Sequence, residues 1–501
     1  MPTTPLQLPP VQLPEALVRD LYRMNPWWQD GQAPPLPATR RHLVAQIHRR
    51  LGMRLAPAVV VRGPRQIGKT TAQLQVIDDL LQRGVPPRNI LRVQTDQLSD
   101  LEKISEPILR LADWYEESVL GETLNAVARR NEPTYLVFDE IQNLDGWAPQ
   151  LKSLVDHSAT RVLVTGSSAL RIEKGRDSLA GRITTIEAGV LSLTEIAAFR
   201  GLDLGSPFLA DNGLEPLIRR DFWEELREHG KTVAPARDQA FRWFSERGGY
   251  PLVHQRADLD WPYLADQLNE TVIRRVILHD LRAGSRGRRR DAALLEELFR
   301  LACRYAGQSP GPHLLAREAG RALGADLGLP KVRQYLRFLA DTLLLRLVDP
   351  LQIRLKRTQG SAKICLADHG LRASWLQEIV PLDPEALTRE PHLTVLAGHL
   401  AESVLGATLS TISHLDLAHV PGRTGEPEVD FVLTIGTRRI PVEVKYQRKI
   451  DPLRDTEALR TFLEKAANNA PFGLLITQAD ADAVVDPRIV ALPLSTVMLL
   501  R

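Results

Sequence analysis

From Ala56 onward, short apolar runs alternate with segments of helical periodicity, the pattern of strands buried on both faces of a parallel α/β sheet. Five runs are predicted as strands, AVVVRG, NILRVQTD, TYLVFDE, RVLVTGSS and RITTIEAGV, each rich in β-branched or other apolar residues. Between about Leu202 and Asp280 the periodicity is helical, interrupted by RGGYPLV at Arg247–Val253. Residues 291–350 then read as helix, loop, helix, turn, helix and strand. In the last of those helices Val332, Tyr335, Leu336 and Leu339 recur at helical spacing and define one buried face. From about Asp383 the pattern is mixed α/β again, and EVDFVLTIGTRRIPVEVKYQ reads as two strands joined by a turn containing Gly436. Residues 1–55, proline-rich at the start, stand apart as an extension. These shifts divide the chain into the extension, an α/β core at 56–200, a helical lid and basic linker at 201–290, and two further domains at 291–375 and 376–501.

Composition narrows the class. At roughly 150 residues per domain, 501 residues suggest about three. With 44% hydrophobic and 25% charged residues, a disordered, collagen-like or disulfide-scaffold chain is excluded. The two cysteines, Cys303 and Cys365, form no C-x-x-C and no zinc-type cluster, which suits a reducing cytoplasm. The formal charge of +3 neither demands nor excludes nucleic acid, so any such argument must rest on local patches. The first residues lack the basic-then-apolar pattern of a secretory signal. No stretch approaches the roughly 20 apolar residues needed to span a bilayer. The expectation is a soluble cytoplasmic protein with no membrane partner.

The strongest motif is GPRQIGKTT, in which Gly63, Gly68, Lys69 and Thr70 satisfy G-x-x-x-x-G-K-[ST] between an apolar strand and a helix. The loop of Gly63, Pro64, Arg65, Gln66, Ile67, Gly68, Lys69, Thr70 and Thr71 would cradle the phosphates of ATP through the backbone N–H groups that all but Pro64 carry, aided by the helix N-terminus. Lys69 is expected to bridge the β- and γ-phosphates, and the Thr70 hydroxyl to bind Mg²⁺. In TYLVFDEIQ, Asp139 falls at a strand's carboxyl end, where it would hold Mg²⁺ through water. Glu140 beside it is the candidate general base for the attacking water; the alternative is that the pair simply caps the next helix. Ser167, after RVLVTG, is a candidate for the γ-phosphate or the lytic water, and equally an N-cap. Of Arg171, Arg176 and Arg182, the last is the preferred arginine finger across a subunit boundary, against the plain alternative of a surface arginine.

These residues carry a resemblance. GPRQIGKTT, followed by VFDEIQ, TGSSALRI, SLAGRI and RGGYP, resembles the bacterial and archaeal ATPase family with an AAA-type domain and an uncharacterised carboxyl-terminal region. The similarity runs from about Val59 to the end, loosely over the lid, and NPWW at Asn25–Trp28 is similar to a segment of some members. It implies an α/β P-loop NTPase core of the AAA+-like, additional-strand catalytic-glutamate kind, with Lys69, Thr70, Asp139 and Glu140 in the roles above.

Two further patterns bear on partners. Leu294–Pro350 resembles a winged helix, with PKVRQYLRFLADTLLL as its recognition helix and Lys331, Arg333 and Arg337 along one edge, suited to DNA phosphates or to a structural role. The Arg282–Arg290 run would form a phosphate-contacting loop or a solvated linker. Trp27 and Trp28 would stack on bases or pack the extension onto the core. In the last domain Glu443 and Lys445 lie two apart on one strand and share a face, and Asp430 points the same way from its neighbour. With Glu402 from the preceding helix, these residues would converge on a divalent metal, Lys445 serving a pentacovalent phosphate. The set resembles the PD-(D/E)xK nuclease superfamily, a restriction-endonuclease-like α/β fold.

Two functional readings follow. The first is an ATP-hydrolysing, DNA-binding motor or remodeller on duplex or branched DNA, of recombination or repair type, working as a ring or other homo-oligomer. The second is a nucleotide-controlled switch or defence effector with a gated or vestigial metal-dependent nuclease domain.

Overall fold

The computed structural model describes residues 12–98, 101–166, 179–210, 213–279, 291–352, 360–422, 427–480 and 485–501. Ser167, Arg171, Arg176 and the Arg282–Arg290 run lie outside the described residues. The chain divides into two compact units, Met1–Gly63 with Gly68–Ala188, and Pro64–Ile67 with Gly189–Arg501.

In the first unit β1 (Ala58–Arg62), β2 (Ile90–Gln94), β3 (Tyr135–Asp139), β4 (Arg161–Gly166) and β5 (Ile183–Glu187) form one sheet in the order β2-β3-β4-β1-β5. They are the five apolar runs, and every pairing is parallel. β4 lies between β1 and β3, the inserted strand that the expected core requires. The register sets Val61 beside Thr165 and Gln94 beside Asp139, so one sheet edge collects the carboxyl ends of all these strands. Beneath that edge Val60, Leu91, Val93, Leu136, Phe138, Val162 and Val164 pack with Ile108, Leu111, Leu151 and Leu154 in one core.

The extension belongs to this core. Helix Glu15–Met24 buries Leu17 and Leu21 in it. β2 is an edge strand, and an edge leaves alternate backbone groups without strand partners. Here side chains supply them. The indole N–H groups of Trp27 and Trp28 both donate to Ile90 O, at 3.0 and 2.9 Å. The Asn25 amide receives from Arg92 N at 2.6 Å and donates to Arg92 O at 2.8 Å. The tryptophans are therefore engaged in capping the sheet, with Trp28 stacked on Tyr115, rather than presented to bases.

In the second unit helices Arg220–Thr232, Ala234–Arg247, Pro251–Gln255 and Trp261–Leu268 occupy the region read as a lid. RGGYP has a packing reason: the Asp368 carboxylate accepts from Gly249 N at 2.6 Å and from Gly370 N at 2.7 Å. A Cβ on Gly248, whose φ is +76°, would fall 2.1 Å from Asp368 Oδ1, so no side chain fits there.

Helices Ala292–Arg304, Pro312–Leu323 and Leu329–Asp341 lead into an antiparallel pair, β6 (Leu345–Val348) with β7 (Lys363–Leu366). The final sheet holds β8 (Asp416–Val420), β9 (Val429–Ile435), β10 (Arg438–Lys445), β11 (Gly473–Thr477) and β12 (Ile489–Pro493), ordered β12-β11-β10-β9-β8. β9 and β10 are the hairpin expected around Gly436, antiparallel, while β10, β11 and β12 run parallel.

Helix Thr394–Ser410 crosses β7 and β9 so closely that a Cβ on Gly406 would lie 2.4 Å from Cys365 Sγ and 2.8 Å from Phe431 Cζ. The segment Pro391–Ser410 corrects one expectation. It is long and apolar enough to cross a membrane, with half of its apolar window buried inside the structure. Its apolar character follows from packing on the strands beneath it.

Candidate functional site

After β1 the backbone takes positive φ at Gln66 (62°) and Gly68 (86°) before helix Lys69–Gln82 begins. Lys69 is buried, and its ammonium donates to Gly63 O at 2.9 Å, spanning the loop from end to start. The Thr70 hydroxyl donates to Asp139 Oδ2 at 2.8 Å. The glycine loop and the acidic strand tip therefore meet as the motif spacing requires. A hydroxyl and a carboxylate side by side are hard oxygen donors, and with the lysine across the loop they fit a magnesium-bound triphosphate.

Three residues that the sequence reading did not single out brace Asp139. Thr165, at the end of β4, donates its hydroxyl to Asp139 Oδ1. The buried Arg92 guanidinium approaches Oδ2 at 3.3 Å from β2. Gln73 joins them, donating to Phe138 O and Thr165 Oγ1, both at 3.1 Å, and accepting from Arg92 Nε at 3.3 Å. Burial lowers the Arg92 pKa from its ordinary value, while the Asp139 charge works to restore it. Thr165 stands two residues before Ser167, which lies outside the described residues.

Glu140 has a left-handed backbone (φ 53°), and its carbonyl accepts from Thr95 Oγ1 at 2.6 Å. Gln142 Nε2 donates to the Glu140 carboxylate. Burial, then the charges of Glu140 and Asp139, raise the pKa of nearby Asp96. Arg182 lies elsewhere. Its carbonyl accepts from Ala58 N at 3.2 Å, at the sheet edge opposite Gly63, and its side chain pairs with Asp156. It is not placed to reach the P-loop of its own chain.

In the final sheet Val442 pairs with Phe431, which brings Glu443 beside Asp430 on one face. Glu402 joins them from helix Thr394–Ser410, one turn before Gly406. All three carboxylates and Lys445 line a cleft of about 640 Å³. The four expected residues do converge, but a fifth stands among them. Lys363, from β7, places its ammonium 2.7 Å from Glu402 Oε2 and 2.8 Å from Asp430 Oδ1, and its side chain is 1% exposed. The other Asp430 oxygen accepts from Val444 N at 2.9 Å. Lys445 donates to Glu443 Oε1 at 2.6 Å, leaving Oε2 buried without a hydrogen-bond partner.

Burial opposes the Asp430 charge, but Lys363 and the Val444 N–H outweigh it and hold this carboxyl below the usual range. Burial and the Asp430 charge raise Glu402 and push Glu443 up to about 8. The expected metal set of Glu402, Asp430 and Glu443 is thus brought to one cleft, with the Lys363 ammonium between Glu402 and Asp430. Among the described residues no group of three or more His, Cys, Asp or Glu side chains is arranged to hold a metal ion. The position between Glu402 and Asp430 belongs to an ammonium group.

The parallel sheet, its inserted strand and the Lys69–Thr70–Asp139 arrangement define an AAA-type P-loop NTPase core in the first unit. Comparison with known proteins agrees: residues 56–197 match the model described as an AAA domain. Residues 238–381 and 397–497 match two domains of unknown function, DUF8612 and DUF4143. An uncharacterized protein of Mycobacterium tuberculosis is 24% identical over 359 residues, covering 71% of this chain and 63% of its own length. An uncharacterized protein of Haemophilus influenzae is 23% identical over 324 residues, covering 62% of this chain and 68% of its own. A Walker-type ATPase of Pyrococcus abyssi overlays 68% of this chain and 99% of its own with a TM-score of 0.38 at 14% identity. The chain thus spans 63% of the length of its mycobacterial relative.

Proposed function

We propose that this chain is a magnesium-dependent ATP hydrolase whose turnover is coupled to duplex or branched DNA. The observation that carries the catalytic part is the 2.8 Å hydrogen bond from Thr70 to Asp139, which joins the phosphate loop to the acidic strand tip. Thr70 and Asp139 would hold Mg²⁺, which when bound supplies charge neutralisation on the phosphate oxygens. Lys69 binds the β- and γ-phosphates, and the backbone N–H groups of Arg65–Thr71 orient them. Glu140 orients the attacking water and takes its proton. Arg182, at the far sheet edge from its own loop, suits service to a neighbouring copy in a ring or other homo-oligomer.

The DNA part rests on the three helices and antiparallel pair at 292–366, an order that suits a winged helix. On helix Leu329–Asp341 the residues Lys331, Arg333 and Arg337 are exposed while Val332, Tyr335, Leu336 and Leu339 are buried. Arg317 and Arg321 on the helix before it are exposed as well. A basic surface opposed to an apolar one is what phosphate contact uses.

The test is ATP turnover measured without DNA, with duplex, with single strands and with a four-way junction. Stimulation by duplex or junction is expected, and Lys69→Ala should lose about 10²–10³-fold in kcat while retaining DNA binding. A turnover rate indifferent to every DNA would remove the coupling, and wild-type protein that fails to hydrolyse ATP would remove the whole proposal. A nucleotide-set switch is the second reading, favoured by the Gln142 hydrogen bond that occupies Glu140.

A further inference from the structure

We infer that Lys363 is the resident cation of the carboxyl-terminal carboxylate cleft, closing a latent divalent-metal site that opens only when this ammonium is removed. The inference does not depend on ATP hydrolysis at the P-loop.

A divalent ion in this cleft would need carboxylate oxygens at about 2.0–2.6 Å. Glu402 Oε2 and Asp430 Oδ1, the two oxygens best placed to share one, already share the Lys363 ammonium at 2.7 and 2.8 Å. A metal ion between them would stand against a buried positive charge, and that charge has no exit to water, since Lys363 is 1% exposed. β7 is held firmly just after it. Ile364 N donates to Gln308 O at 2.9 Å, Gly307 N donates to Ile364 O at 2.7 Å, and Leu366 N donates to Ser403 Oγ at 2.9 Å. The Glu428 carboxylate, 3.7 Å away, adds a third negative neighbour. Withdrawal of the ammonium would break its bonds to Glu402 and Asp430 and leave both carboxylates without it, while the strand that carries it stays fixed, so the cation is a fixture rather than a latch.

What remains after its removal is a site. Glu443 Oε2 is buried with no partner and lines the same cleft as Glu402 and Asp430. Without the ammonium, carboxylates from β9, β10 and helix Thr394–Ser410 would line one cleft with no cation between Glu402 and Asp430, and their oxygens are the donors that a hard ion takes. In the native chain the same cleft performs no metal-dependent phosphodiester cleavage.

The test uses the full chain free of nucleotide and Mn²⁺ as the probe, with bound ions counted by electron paramagnetic resonance. Wild type and Asp430→Asn should bind Mn²⁺ equally, because the cleft of the wild type holds none. Lys363→Met should bind one additional Mn²⁺, lost again in Lys363→Met/Asp430→Asn. Magnesium-dependent nicking of supercoiled DNA by the wild type should be absent or unchanged by Glu443→Gln. Wild-type binding weakened tenfold or more by Asp430→Asn would overturn the inference. So would a folded Lys363→Met protein with no additional ion. If Lys363→Met does not fold, the comparison of wild type with Asp430→Asn decides alone.

Discussion

Asp139 and Asp430 occupy similar places in two different sheets, each buried near a strand end and each approached by a buried basic side chain. The first is braced and the second is filled. Arg92 spreads its planar fork over Gln73, Gln94 and Asp139, reaching the carboxylate only at 3.3 Å, while the hydroxyl of Thr70 meets the same oxygen from the phosphate loop. Lys363 instead sets a compact charge between Glu402 and Asp430 at 2.7 and 2.8 Å. The delocalised guanidinium suits support shared among several acceptors, and the point charge of an ammonium suits replacement of an ion. A cation beside a metal-type carboxylate thus has to be judged by where it stands, because the same pairing on paper leaves one site usable and closes the other.

The sharpest way to break this comparison is to remove each cation and weigh the consequences. Lys363→Met should destabilise the chain by about 3–5 kcal/mol in denaturant unfolding, because two buried carboxylates lose the charge that balances them. Asp430→Asn on top of it should recover part of that loss. A Lys363→Met cost under about 1 kcal/mol would mean that the ammonium is not balancing buried charge. Arg92→Met should cost less, about 1–3 kcal/mol, since Thr70 and Thr165 still donate to Asp139 after the change. It should also slow ATP turnover, through a looser Asp139. Equal costs at the two positions would erase the distinction between bracing and filling.

The contrast also marks what could be read from the chain alone. The five strands of the first sheet were legible because each is a short apolar run and most are followed by Gly, Asp or Ser, and Lys69, Thr70 and Asp139 were legible because their spacing is set by one loop and one strand. Glu443, Lys445 and Asp430 were placed on one face by strict alternation, which the Val442–Phe431 register bears out. Lys363 was not legible. It lies 39 residues from Glu402 and 67 from Asp430, on a strand of a different sheet, and alternation assigns faces without naming what packs against them. Arg92 was hidden for a similar reason: an arginine within NILRVQTD reads as solvent-facing until the neighbouring strand supplies Asp139. Trp27 and Trp28 offered bases or packing as alternatives, and only the edge position of β2 explains why both indoles aim at Ile90 O.

The smallest effect, and the finest discriminator, lies at Glu443. Burial and the neighbouring Asp430 charge lift its carboxyl from an ordinary 4.5 to about 8, against the pull of Lys445. A carboxyl raised on folding binds its proton more tightly in the native state than in the unfolded one. Its contribution to stability is therefore complete below about pH 4.5 and is lost as pH rises through about 8. Between about pH 7 and pH 9 that loss amounts to about 1 kcal/mol. Glu443→Gln cannot ionise, so its unfolding free energy should gain on the wild type by that amount over the same interval. Parallel stability curves for the two proteins would place a positive charge close to Glu443 Oε2. A cation bound there would bring the carboxyl back down, and the filled site would then extend beyond Lys363 to an ion of its own.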